Sequence, residues 1–383
     1  MTDESILSGA TRPVEAGPDP DREVGGGGGQ VVVVGGGISG LASAYALARA
    51  GARVLLLERG PRLGGKILTR PLAGLPLEGG PDGFLDRPEV VALCRELGLE
   101  AELVGTLTTQ AYRWEGTGLR PLEAETGRPA AARPLPARLL SLRDGLQRLV
   151  ERLEQELRAR QVQVRLLAPV EGVEAPSGAG LSVRLATGEA ISADAVVVGV
   201  PAPQAARLVS ALSPGAAGEL MEIRYLDLAV INLIYPGRPW ALPGSGFLVA
   251  ERDGRLISGC TWLSAKWPHL DRPGCTAMRV TVGGSGRREW AELDDRTLVR
   301  TVHQELTLAL GPAPAPGPTD VIRWQQAVPD PRSLDPGRAA RVQAALPPGL
   351  ALASGGYRGG GIASCIAAAA EAVELALRRL RAG

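Results

Sequence analysis

The chain has 383 residues, 45% hydrophobic and 22% charged, with 42 basic against 41 acidic side chains. The apolar share is too high for a disordered chain, and the 51 glycines follow no collagen period, so one large or two interleaved folded units are expected. A formal charge of +1 provides no basic footprint, and no nucleic-acid partner is expected.

Residues 1–29 read as a flexible leader that ends in five glycines and has no apolar stretch of the signal-peptide kind. The uncharged run 25–48 is broken by Gly35, Gly36 and Gly37, so no transmembrane segment is expected. Order begins with the β-branched run 30–34, read as a buried parallel strand. A glycine turn, an Ala/Leu-rich helix to about residue 50 and a strand over 53–58 complete a βαβ unit. Helices are predicted over 86–97 and 142–160, the second with Leu146, Leu149, Val150, Leu153 and Leu157 on one stripe. Strands are predicted over 162–167, 181–186 and 195–200. A second sheet is predicted from 225–234, 246–250, 255–262 and 277–283. Asp294 or Asp295 can cap a helix to about residue 310, and a strand at 350–353 precedes a glycine-rich turn and a final helix. Cys94, Cys260, Cys275 and Cys365 form no close pair. Neither a metal site nor a disulfide framework is suggested, and a reducing cytoplasm is the expected compartment.

The strongest chemical signal is Gly35-Gly36-Gly37-Ile38-Ser39-Gly40, a GxGxxG turn between strand and helix. Gly35 permits the tight turn, Gly37 lets backbone approach a pyrophosphate, and Gly40 lets helix and strand pack closely. Amides at the helix start would bind phosphate. Glu58, 18 residues after Gly40, stands where a carboxylate accepts ribose hydroxyls. The further glycines Gly64, Gly65, Gly80 and Gly83 favour a buried flavin over a nicotinamide. The turn Gly359-Gly360-Gly361-Ile362 opens the last helix, whose positive end suits a reduced flavin. His269 and His303 are read as surface or packing residues, and no catalytic side chain is assigned.

The order Gly35-x-Gly37-x-x-Gly40, Glu58-Arg59-x-x-Arg62-Leu63-Gly64-Gly65 and Gly80-Pro81-Asp82-x-Phe84-Leu85 resembles the amine-oxidase superfamily of flavoproteins. Ser141-Leu142-Arg143-Asp144-Gly145, Lys266-Trp267-Pro268, Arg323-Trp324 and Tyr357-x-Gly359-x-Gly361-Ile362-x-x-Cys365 narrow the likeness. They point to the oxygen-dependent protoporphyrinogen and coproporphyrinogen III oxidases, and the Lys-Trp-Pro and Gly-Pro-Asp-x-Phe-Leu segments to the Gram-positive coproporphyrinogen type. The resemblance implies an α/β fold: a Rossmann-like FAD-binding domain interleaved with an α+β mixed-sheet substrate domain. FAD would be bound by 30–82, 139–203 and 348–383, and the substrate by 83–138 and 204–347. It places Val170 at the adenine; Lys66, Gly80, Pro81, Asp82 and Gly83 near the flavin; Trp324 beside it; and Gly360, Gly361 and Ile362 facing its ring. The implied reaction is oxidation of a tetrapyrrole porphyrinogen by molecular oxygen in haem biosynthesis. Arg113 and Arg120 are the candidate partners of a substrate propionate. Other readings are a flavin oxidase of an amine or polyene, or a non-catalytic binding paralogue. Family members carry a long helical insertion between the strand near Trp114 and Ser141, where this chain has only a short Pro/Ala-rich interval.

Overall fold

A computed structural model describes residues 29–116, 118–122, 138–176, 180–284 and 288–382. The leader, but for Gly29, and most of the Pro/Ala-rich interval lie outside these residues.

The runs richest in valine and leucine assemble into a five-stranded sheet. Its order is Gln163–Arg165, Arg53–Leu57, Gln30–Val34, Ala195–Val198 and Leu350–Leu352, all parallel. Successive side chains of a strand point to opposite faces, and here both faces are covered. Val31 and Val33 pack beneath helices Ile38–Arg49, Gln147–Ala159 and Ile362–Ala382. Val32 and Val34 face a second core that includes helix Ala202–Val209 and the antiparallel sheet of Val170–Glu174, Leu181–Leu185 and Ala190–Ala193.

The second large sheet has seven strands: Thr319–Pro329, Tyr225–Pro236, Cys275–Gly283, Ile257–Thr261, Gly246–Val249, Ala111–Glu115 and Gly118–Pro121. It is antiparallel except where Gly246–Val249 meets Ala111–Glu115 in parallel. Ala229, Ile231, Leu233 and Tyr235 point to a core covered by helix Asp295–Leu310, together with Met278, Val280 and Val282. The alternate residues, including Asn232 and Arg279, face the other way. These two are register partners on neighbouring strands, so their side chains emerge together.

The predicted helix 142–160 begins later, at Gln147. Residues 139–142 instead form a strand between Phe84–Leu85 and Leu103–Gly105, and Gly145, at φ 91°, turns the chain into the helix. The predicted helix 86–97 starts at Pro88, because a residue before proline is driven out of the helical region. The hairpin Thr69–Leu72/Leu75–Glu78 was not predicted; at four residues per strand it carries little periodicity. Among the described residues no helix is long and apolar enough to cross a membrane.

Candidate functional site

At the carboxyl ends of the parallel strands, the GxGxxG turn joins Gln30–Val34 to the helix that starts at Ile38. Ile38 and Ser39 are buried in the first turn of that helix, and Gly35 bends the chain at φ 102°. A methyl group on Gly40 would lie 1.8 Å from the carbonyl oxygen of Gly35, so the turn closes only around glycine. At Gly37 a methyl group would meet nothing within 4 Å. That space, bounded by the amides of a helix start, fits a dinucleotide pyrophosphate. Gly64 donates to the carbonyl of Gly36 at 2.8 Å, and Gly65 lies against Gly37, so the second glycine pair closes the same crevice. The Arg62 guanidinium holds this loop by donating to the carbonyls of Leu63, Gly65 and Ile67.

The Glu58 carboxylate accepts from the amides of Gly36 at 2.6 Å and Gly60 at 2.7 Å. It therefore stands at the turn. Val170 lies alongside, because Ala168 donates to the Glu58 carbonyl at 2.9 Å and Leu167 to that of Gly60. Arg59 is exposed at the rim.

Lys66 leads from the glycine loop to the second sheet. Its ammonium sits 5.6 Å from the centre of the Tyr225 ring. Burial pulls its pKa down to about 8, the Cys365 thiol acting to raise it and Arg59 to lower it further. Tyr225 in turn stands against Gly356, just before the turn into the last helix, and Gly360 packs near Pro329. Gly359, Gly360 and Gly361 all have positive φ, a run that only glycine adopts without strain, and a methyl group on Gly361 would point into open space. A 21-residue helix starts at Ile362, directly after this run, with the positive end of its dipole there.

The segment Gly80-Pro81-Asp82-Gly83 passes beneath the second sheet. Backbone crowding selects Gly80, where a methyl group would lie 1.8 Å from the Lys66 carbonyl oxygen, and Gly83, where it would strike the Leu140 carbonyl and the Trp267 ring. Asp82 accepts from Lys266 at 2.7 Å and from the Trp267 indole at 3.3 Å. Burial alone would raise its carboxyl, but Lys266 and Arg279 hold it well below the usual range. Trp324 donates through its indole to the Gly79 carbonyl at 2.6 Å.

Contacts thus link the glycine turns, Glu58, Lys66, the segment 79–83, Trp324 and the stretch before the last helix into one neighbourhood, with Val170 two residues beyond the contact to Glu58. Arg113 is not among them. Its strand lies five positions across the sheet from that of Trp324, about 24 Å at ~4.8 Å per strand, and it pairs with Glu115 at 3.6 Å. His269 packs against Trp267, and burial lowers its pKa to about 4; His303 bonds through Nδ1 to the Tyr235 hydroxyl at 3.0 Å. Lys266 is only 7% exposed. Arg279 and Asn232 had no signal in the sequence beyond their place in a strand.

A model of the family described as flavin containing amine oxidoreductase matches residues 38–142 and 126–377. The coproporphyrinogen III oxidase of Bacillus subtilis is 26% identical over 90% of this chain and 97% of its own length. That of Mycobacterium tuberculosis is 28% identical over the same shares. The Bacillus alignment runs over 464 positions against 383 residues in the whole chain, so part of that relative has no counterpart here. A crystal structure from Exiguobacterium sp. 255-15, named among the protoporphyrinogen oxidases, superposes with a TM-score of 0.79 at 25% identity, covering 92% of this chain and 99% of that one. Cyclohexylamine oxidase from Brevibacterium oxydans shares the fold, with a TM-score of 0.69 at 18% identity, over 91% of this chain and 99% of its own.

Proposed function

Because the chain belongs to the flavin containing amine oxidoreductase family and is an FAD-dependent oxidoreductase, we propose that it oxidises a porphyrinogen, coproporphyrinogen III or protoporphyrinogen IX, to the porphyrin. Molecular oxygen is the acceptor, and the reaction belongs to haem biosynthesis in the cytoplasm. One observation carries this reading. The two segments most like the Gram-positive coproporphyrinogen oxidases, Gly80-Pro81-Asp82-x-Phe84-Leu85 and Lys266-Trp267-Pro268, are 184 residues apart yet meet through the Lys266–Asp82 ion pair beside the crevice.

In this reading residues 30–82, 139–203 and 348–383 form the FAD-binding unit, and 83–138 with 204–347 the substrate unit. The pyrophosphate lies against Gly35–Gly37 and Gly64–Gly65, the adenosine near Glu58 and Val170, and the flavin ring between Lys66, residues 80–83, Trp324 and Gly360–Ile362. Bound FAD supplies a two-electron acceptor, and the protein orients the reacting partners. Lys66, Tyr225 and the start of the last helix place positive charge and hydrogen-bond donors on one side of that ring. The described crevice offers no histidine as a general base, which suits a substrate whose own pyrrole N–H releases the proton. Arg113 is kept only as a contact at the outer edge of the substrate unit.

The test is anaerobic mixing of the FAD-loaded protein with each porphyrinogen while the visible flavin band is followed. Bleaching by one of them, then recovery of the band with porphyrin fluorescence and peroxide on admitting oxygen, is the expected result. A band that stays oxidised with both removes the assignment.

A further inference from the structure

Residues 78–80 present three successive backbone carbonyls to the second sheet, and each meets a side-chain donor from a different strand. Asn232 donates to the Glu78 carbonyl at 3.1 Å, Trp324 to that of Gly79 at 2.6 Å, and Arg279 to that of Gly80. The three donors stand on adjacent strands in the order Thr319–Pro329, Tyr225–Pro236, Cys275–Gly283. Two residues further on, Lys266 and the Trp267 indole take the Asp82 carboxylate. The opposite side of the segment is equally fixed: Gly79 donates to the Leu68 carbonyl at 2.7 Å, and Gly80 rests on the Lys66 carbonyl. Lys66 follows Gly65, which lies against Gly37. A continuous packed path therefore runs from the second sheet through 78–83 and 64–68 to the glycine turn. Sheets carry side chains on rigid supports, so the donors fix the segment's position and not merely its composition.

We propose that Asn232, Arg279 and Lys266 are positioning residues, through which the second sheet sets the place of the 78–83 wall and thereby the affinity and environment of FAD. Asn232 is fully buried and Lys266 nearly so, and neither reaches the glycine turn itself. Their action on the cofactor passes through the backbone they hold. Removing Arg279 leaves the buried Gly80 carbonyl without that donor and takes one of two cations from Asp82. Removing Lys266 leaves Asp82 with Arg279 and the Trp267 indole alone.

The inference rests on placing FAD against 35–40 and 64–83, not on the identity of the substrate, and the test separates the two. FAD is titrated into the full-length apo-protein and read by flavin fluorescence, with the visible band recorded for the complex and folding checked by circular dichroism. Arg279→Met and Lys266→Met are expected to weaken FAD about tenfold or more and to shift the flavin band, as loss of a charge-assisted hydrogen bond would. Arg279→Lys should recover most of the affinity. Adding Asp82→Asn to Lys266→Met should restore part of the loss, because no unpaired carboxylate then remains. If Arg279→Met does not fold, Lys266→Met and its double variant carry the test. Folded variants that bind FAD with wild-type affinity and spectrum overturn the positioning role. Gly37→Val is the control for placement: unchanged FAD affinity there removes both the placement and this inference. Lost affinity in Gly37→Val with unchanged affinity in the other two variants removes the positioning role alone.

Discussion

Gly37 and Gly40 stand in one turn, three residues apart, yet a methyl group added at each meets opposite surroundings. At Gly37 it enters open space; at Gly40 it strikes the backbone of Gly35. Gly37→Val should therefore leave the apo-protein's thermal transition near the wild-type value while lowering FAD affinity a hundredfold or more, as seen by fluorescence titration. Gly40→Ala should instead destabilise the apo-protein by about 3 kcal/mol, because the turn must open to admit the methyl group. Equal stability of Gly40→Ala and wild type would contradict the geometry. Glu78 offers a second test. Burial raises its pKa to about 8, although the Leu146 amide and the Thr69 hydroxyl donate to it. Folding therefore takes up a proton: the contribution to stability is full below about pH 4.5 and is lost as pH rises through 8. Between those limits the wild type should lose on the order of a few kcal/mol relative to Glu78→Gln, measured by denaturant unfolding across pH. Parallel curves for the two proteins would exclude a neutral Glu78. At this scale the GxGxxG turn and Glu58 were legible because their residues are neighbours in sequence. The Lys266–Asp82 pair was not, since nothing local marks two charges that meet only through tertiary packing.

Elements were legible in proportion to their length and periodicity. The leucine stripe of Gln147–Ala159 is buried as its spacing predicts, and the valine run at 30–34 lies inside a parallel sheet. Starts and stops were less legible where a glycine turn or a short strand precedes the helix, as at Gly145. One boundary read from sequence carries its own test. Asp294 caps helix Asp295–Leu310 by accepting from the Thr297 amide at 2.7 Å. Asp294→Ala should cost about 1 kcal/mol in denaturant unfolding and leave FAD affinity unchanged, since the helix lies on the far face of the second sheet. A loss of FAD affinity as large as that of Arg279→Met would contradict the separation of the two faces. The same helix sends Glu305 to the amides of Leu256 and Ile257 at 3.0 and 2.9 Å, pinning the start of strand Ile257–Thr261. No sequence pattern marked that link, because a glutamate on a helix reads the same whether it meets water or two amides.

For the whole molecule, the proposed placement has FAD join stretches that are distant in sequence, around residues 35–83, 170 and 360. A ligand that binds only the folded chain stabilises it by mass action, about 2.7 kcal/mol when free FAD is a hundred times its dissociation constant. The thermal transition should rise with FAD concentration accordingly, and a transition indifferent to FAD would mean that the crevice does not bind it. The fold class was legible because the βαβ unit and its glycines are local. Four strands of the second sheet, read from 225–283, pair in one sheet as expected, whereas 111–115, 118–121 and 319–329 were not assigned to it, because they join it from either side of a long stretch of chain.

The parallel sheet also has a history in time. Strand Ala195–Val198 receives its outer neighbour, Leu350–Leu352, only after about 150 further residues have been made. Until then one edge of this apolar sheet offers unpaired amides and carbonyls, and the surface later covered by Ile362–Ala382 is bare. A chain emerging from the ribosome at ~5–20 residues per second would carry that open edge for roughly 8–30 seconds. Residues 349–382 thus close that edge, and a chain stalled before them is the form most exposed to aggregation.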